Sequence, residues 1–220
     1  EYRRQRQMCI RDRYLYNSLV ISLVTTAVSI LVCIMSGYAL ARFNFRGAGL
    51  LSMGTVLIRM VPPVVVAVPM YVLWTKFGLT GGLSGLVLAY LGLTIPLNVW
   101  MLSIFIKEIP FELEEAAAID GCSYMRILWG IVVPLIKPGI SVTSVFTFRT
   151  AWNEFLLAII LSNRSTRTLP AAVSLMISDL GINWGQIMAM ATIIAIPAFI
   201  VTFACSKNLI TGMTAGAVKG

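Results

Sequence analysis

Five stretches of this chain, Leu15–Leu40, Leu50–Trp74, Leu83–Ile106, Gly139–Leu161 and Ile187–Cys205, stay apolar over about the 20 residues a helix needs to cross a bilayer. No other feature narrows the possible folds as much. In hydrocarbon each backbone N–H and C=O must be paired within its own segment, so every run is expected to be a helix. Gly37, Pro62, Pro63, Pro69, Pro96 and Pro197 fall inside the runs, and membrane helices tolerate such residues better than soluble ones do. Composition agrees: 58% of residues are hydrophobic and 12% charged, where a soluble domain is about half apolar and a quarter charged. The expected fold is an all-α membrane protein, a polytopic helical bundle with about five transmembrane helices.

Several function classes fall away. The net charge of +8 could suggest nucleic acid, but the basic residues are scattered at helix ends with no basic face interleaved by aromatics. Histidine is absent, which removes His-based acid–base chemistry, His-containing triads and most zinc sites. Cys9, Cys33, Cys122 and Cys205 lack metal-ligand spacing and read as small apolar filler. No Ser–base constellation supports an intramembrane hydrolase. No G-x-x-x-x-G-K-[ST] phosphate loop occurs, so ATP hydrolysis, if the chain depends on it, belongs to a partner that binds ATP and magnesium. The chain itself is expected to be no enzyme and to hold no cofactor.

One polar interruption stands out. Between Lys107 and Pro138 lie five of the nine acids, Glu108, Glu112, Glu114, Glu115 and Asp120. Pro110 suits a first helical turn, and the carboxylates just behind it oppose the positive end of a helix dipole. Ala116, Ala117 and Ala118 favour helix, and Gly121 can take the positive φ of a helix stop. The pattern predicts a short helix from Phe111 to about Asp120. A second is expected over Tyr124–Val133 capped by Ser123, with Pro134 and Pro138-Gly139 marking the bend into the fourth span.

Glu115-Ala116-Ala117, Gly121, Ile131 and Pro134 follow the pattern E-A-A-x3-G-x9-I-x-[L]-P, with Val133 in place of the usual Leu. This resembles the coupling segment of type I permease subunits of ATP-binding-cassette (ABC) importers. The resemblance implies a small, acidic knob that seats in a groove of an ATPase subunit. Its residues would be Glu114, Glu115, Ala116, Ala117, Asp120, Gly121, Ile131 and Pro134. The plainer alternative is a solvated loop helix.

Ala151-Trp152-Asn153-Glu154-Phe155, placed inside the fourth span, resembles the A-W-N-[ED]-F signature of carbohydrate permeases. Thr211–Gly220 resembles the small, flexible cytoplasmic tail of the sugar and polyol branch. Altogether the resemblance covers about Asn17–Gly220. It implies half of the translocation pore of a binding-protein-dependent sugar importer. The implied partners are a second homologous permease, two ATPase copies, an extracytoplasmic solute-binding protein and the carbohydrate. Polar residues in lipid are costly, so Arg59, Arg149, Asn153 and Glu154 should face the bundle interior or water. They line a polar path or pair at a subunit interface. Trp74, Trp100 and Trp184 read as interfacial anchors. An ion-coupled secondary carrier is the competing reading, and it expects inverted repeats that the chain does not display.

The charges conflict over topology. With the acidic loop inside, Arg42, Arg46, Lys107, Arg126, Lys137, Lys207 and Lys219 lie on the cytoplasmic side, against Lys76, Arg164 and Arg167 outside. That bias supports an N-out, C-in arrangement in a bacterial inner membrane. Arg3, Arg4, Arg6, Arg11 and Arg13 oppose it. Because the carbohydrate permeases it resembles normally have six spans, residues 1–13 are read as largely foreign, standing where a first span is missing; the alternative is a genuine basic juxtamembrane segment that binds anionic lipid. The permease domain is then 14–210, with the coupling loop at 107–138 and the tail at 211–220.

Overall fold

The computed structural model describes residues 2–178, 181–182 and 184–217, with side chains over 12–176 and 184–205. It is helical almost throughout. Helix α1 spans Tyr2–Arg42, α2 Ala48–Arg59, α3 Pro63–Lys76 and α4 Leu83–Lys107. After α5 (Glu112–Ile119) and α6 (Tyr124–Ile127), a π turn over Leu128–Val132 leads into α7 (Val133–Leu135). Next come α8 (Lys137–Trp152), α9 (Leu156–Leu161) and α10 (Leu169–Val173). A two-residue antiparallel ladder, β1 (Ile177–Ser178) with β2 (Gly181–Ile182), precedes α11 (Trp184–Ala217).

Among the described residues, three uninterrupted helical segments are long and apolar enough to cross a membrane: Asp12–Arg42, Leu83–Lys107 and Trp184–Cys205. Two bent helix pairs pass the same test of length and hydropathy, for up to five spans if each pair is one. The second expected span breaks between α2 and α3 at 98°. Pro62 and Pro63 carry no N–H for the ladder, and a proline pushes its predecessor away from helical geometry. The fourth expected span is corrected more substantially. The helix that begins near Gly139 stops at Trp152 rather than running to Leu161, and its bent partner lies upstream, Tyr124–Leu135, at 79°. The segment expected to be a tail is also helical as far as Ala217, since adding a residue to an existing helix costs far less than starting one. Residues 218–220 lie outside the described residues.

Packing centres on α1, α4 and α8. Their contact is made by small and hydroxyl residues, which let backbones approach closely in lipid. At Gly37 an added Cβ would lie 3.3 Å from Leu102 Cβ and Ser103 N, and at Gly139 it would lie 2.5 Å from Phe105 Cγ. Ser18, Ser22, Thr25 and Ser29 form a buried stripe along α1. Ser22 and Thr147 donate back to Ser18 O and Thr143 O at 2.7 Å, which satisfies hydroxyls that lipid could not. The buried Asn98 amide on α4 donates to Ser29 Oγ on α1 (2.8 Å) and Thr147 Oγ1 on α8 (2.7 Å), joining all three helices.

At the opposite end from α5, Asn17 Nδ2 donates to Ser165 O and Arg167 O, and Leu169 N donates to Ser18 Oγ. Trp74 does more than mark a boundary: its Nε1 donates to Gly85 O at 2.8 Å, tying the end of α3 to the first turn of α4. By contrast, α2, α3 and α11 leave most of their apolar surface outward.

Candidate functional site

The acidic loop folds as a compact helix–turn–helix pinned to the bundle. Helix α5 starts after Phe111 with Glu112, Glu114 and Glu115 in its first turn, where carboxylates meet the positive end of the dipole. It ends in a two-bond stop. Gly121 sits at φ 81°, its N–H donates to Ala118 O (3.0 Å), and Cys122 N donates to Ala117 O (3.0 Å). That pairing satisfies the last carbonyls and requires a left-handed residue, so glycine is the fitting choice.

Ser123 takes the N-cap position of α6, but its side chain makes no capping bond, contrary to expectation. The second helix also departs from α geometry at Leu128–Val132. Pro134 explains this: its ring would collide with the carbonyl of Gly130 in a regular helix, and a π turn widens the ladder there. Pro134 itself is exposed, and Ile131 packs against the bundle.

What holds the loop was not foreseen. Arg42, the last residue of α1, donates from Nε to Glu114 Oε1 at 2.7 Å and from Nη2 to Ile109 O at 2.9 Å. Its guanidinium also lies 5.6 Å from the centroid of the Phe111 ring. Tyr38, one helical turn earlier, donates its hydroxyl to Glu114 Oε2 at 2.8 Å. Both carboxylate oxygens of Glu114 are thus engaged, and its side chain is only 4% exposed. Glu114 therefore faces inward with Ala117, while Glu115, Ala116, Asp120 and Gly121 face out. Ile119 is exposed to 85% on that outer side, and Phe111, Leu113, Tyr124 and Met125 of the same loop are exposed as well. The signal available in the sequence was the i, i+4 pair Tyr38 and Arg42 at the end of a span, one face of one helix.

The second group is scattered differently from expectation. Arg59 ends α2 at the bend and reaches across to α4, where Nη1 donates to Leu93 O at 3.0 Å. Its guanidinium lies 5.9 Å from the centroid of Phe146 on α8. Phe146, Arg149 and Asn153 are all exposed and lie at i, i+3 and i+7, one face of α8. Arg59 thus joins Arg149 and Asn153 along this face.

Asn153 and Glu154 sit at a helix break, not inside a span. Asn153 N and Nδ2 both donate to Arg149 O, which closes α8, and Glu154 Oε1 accepts Leu157 N at 3.0 Å, opening α9. These local bonds compete with continued helix and account for the interruption. Glu154 pairs with neither arginine, and Arg42–Glu114 is the one ion pair among the described residues. A cation at the centre of a bilayer costs about 2.5–3.5 kcal/mol on insertion scales, so the Arg59–Arg149 face is turned to water or protein, not lipid. No group of His, Cys, Asp and Glu among the described residues could hold a metal ion.

Apolar helices long enough to cross a bilayer, joined by a polar helix–turn–helix, define a membrane-embedded protein. The chain belongs to the family of binding-protein-dependent transport system inner membrane components, whose profile matches residues 29–214. It is 34% identical to the sulfoquinovosyl glycerol transport system permease SmoH of Agrobacterium fabrum, over 94% of this chain and 73% of that protein. It is 33% identical to the diacetylchitobiose uptake system permease DasC of Streptomyces coelicolor, over 94% and 75%. The trehalose transport system permease SugB of Mycobacterium tuberculosis is 34% identical over 94% and 76%.

Among solved structures, the MetNI methionine ABC transporter superposes with a TM-score of 0.76 at 18% identity, covering 93% of this chain and 97% of that one. A bacterial ABC importer of the acidic polysaccharide alginate gives 0.69 at 19%, over 95% and 74%. These two show the fold alone. The chain is an inner-membrane permease of the ABC importer type, and the ion-coupled carrier reading is not favoured.

Proposed function

We propose that this chain forms one half of the translocation pore of an ATP-driven carbohydrate importer and receives force through the Glu112–Ile119 helix. The observation that carries the reading is the inward clamp on Glu114, which leaves Glu115, Ala116, Ile119, Asp120 and Gly121 presented outward on a short helix fixed to α1. Small side chains allow close approach, the carboxylates favour a basic partner, and the clamp transmits displacement of the helix to the bundle. An ATPase subunit is the partner that fits, on the cytoplasmic side. A second, homologous permease would cover the apolar surfaces of α2, α3 and α11, two ATPase copies would drive the pair, and a solute-binding protein would deliver the solute from outside. Relatives transport sulfoquinovosyl glycerol, diacetylchitobiose and trehalose by name, which supports a sugar or glycoside as the cargo. This subunit catalyses nothing and binds no cofactor. Arg59, Arg149 and Asn153 line the polar path, with Glu154 holding the break beside it.

The test reverses or enlarges the outer face. Glu115→Lys removes a dipole interaction of about 0.3–1 kcal/mol and sets like charges against a basic groove. Gly121→Val forces a branched side chain into the left-handed region, although nothing within 4 Å in this chain obstructs it. Both variants should insert normally, lose the ATPase in pull-down and abolish uptake. Retention of the ATPase with normal uptake in both would remove the loop from the coupling path.

A further inference from the structure

We infer that the exposed α8 face around Phe146 binds the oxyanion of an acidic carbohydrate, so that the solute carried past this subunit bears a carboxylate or sulfonate. This rests on the sugar-importer reading and adds the class of sugar.

Depth is set by Arg59. Its partner carbonyl, Leu93, lies about 15 Å along α4 from Leu83 and about 21 Å from Lys107, near the middle of the span. The guanidinium is held there by one hydrogen bond and the Phe146 ring, which leaves its remaining N–H donors without a partner among the described residues. Arg149 follows Phe146 by three residues on the same face, and its guanidinium has no hydrogen bond or ion pair to any described residue. The nearest carboxylate along α8 and α9, Glu154, accepts Leu157 N and forms no ion pair with either arginine. Both guanidinium groups therefore stand without an ion pair among the described residues.

Phe146 and Asn153 add an apolar and a polar group to the same face. Phe146 offers an apolar ring for the C–H face of a pyranose. Asn153 spends its amide N–H on Arg149 O, which leaves Oδ1 to accept a hydroxyl. A guanidinium presents a planar fork that matches the two oxygens of a carboxylate or sulfonate, where a lysine would offer a point charge. In a narrow passage walled by apolar helices such charges focus their field on the solute, attracting anions. A neutral sugar would pass without neutralising either arginine.

The experiment uses the whole importer, with its second permease, ATPase pair and binding protein, reconstituted in liposomes. Labelled maltose and trehalose serve as neutral solutes, and digalacturonate and a sulfonated quinovoside as acidic ones. The expected result is ATP-driven uptake of an acidic solute in preference to both neutral ones. Arg59→Gln and Arg149→Gln should each lower that uptake at least tenfold while the variants still co-purify with the second permease. Arg149→Lys should recover part of it. Uptake of a neutral sugar that neither glutamine substitution changes would overturn the inference. So would loss of the second permease from the glutamine variants, which would place the arginines against carboxylates of that subunit. Absence of ATP-driven uptake for every solute would defeat the importer reading itself, and this inference with it.

Discussion

Arg42→Ala should release the Glu112–Ile119 helix from the bundle while the spans stay folded. The Arg42 and Glu114 side chains are 10% and 4% exposed, so their pairing belongs to the buried kind. Removing one partner of a buried pair costs about 3–5 kcal/mol, mostly because the other charge is stranded. Here Glu114 keeps the Tyr38 hydroxyl, which places the cost near the lower end. The substitution also strips Ile109 O of its charged donor and the Phe111 ring of a cation worth about 0.5–1 kcal/mol.

About 3 kcal/mol is roughly a hundredfold in an opening equilibrium. Amide hydrogen exchange should therefore accelerate by about that factor over Glu114–Asp120, with little change in Leu83–Lys107. In the reconstituted complex, ATP hydrolysis should continue while solute moved per ATP falls, because the helix moves without pulling α1. Arg42→Met with Glu114→Gln, which leaves no stranded charge, should recover much of the protection. Exchange in Arg42→Ala that matches the parent, or a double variant no better than the single, would refute the clamp.

Single cysteines at Ser123 and Arg164, in a background without Cys9, Cys33, Cys122 and Cys205, should label from opposite faces, because both are exposed and lie at opposite ends of the bundle. Labelling of both by an impermeant maleimide added outside intact cells would contradict the arrangement. Gly139→Val should lower the melting temperature in detergent, since its Cβ would fall 2.5 Å from Phe105 Cγ and overpacking costs about 1–3 kcal/mol. Gly92→Ala on α4, with nothing within 4 Å of the new Cβ, should leave the melting temperature unchanged or slightly raised. Equal behaviour of the two would show that the α4–α8 crossing is looser than described.

Hydropathy and motif spacing made the spans and the loop legible, because both are local properties. The stop at Gly121 follows from one residue's tolerance of positive φ, and the sequence announces it. The break at Asn153 was hidden because Gly139–Leu161 as a whole is long and apolar enough to read as one span, while the interruption comes from side chains of Asn153 and Glu154 bonding nearby backbone. Contacts between distant segments were invisible for a different reason. Arg42 reads as a flanking positive charge and Glu114 as one acid among several, and only the fold brings residues 72 positions apart to 2.7 Å. Asn98 likewise looks like a stray polar residue until Ser29 and Thr147 arrive from other helices. Arg59 and Arg149 were expected to share a role, yet Phe146, the ring that Arg59 packs over on the face of α8 that bears Arg149, carried no signal of its own.

The most direct test of the account asks what powers transport through this chain. Liposomes containing this permease, its partner permease and the ATPase pair, with binding protein and labelled sugar outside, are loaded with ATP and magnesium on the side that bears the Glu112–Ile119 helix. The account predicts uptake that requires ATP, persists when proton and sodium gradients are collapsed, and stops with Glu115→Lys. Uptake driven by an ion gradient in liposomes that contain the permeases alone, without the ATPase, would contradict it.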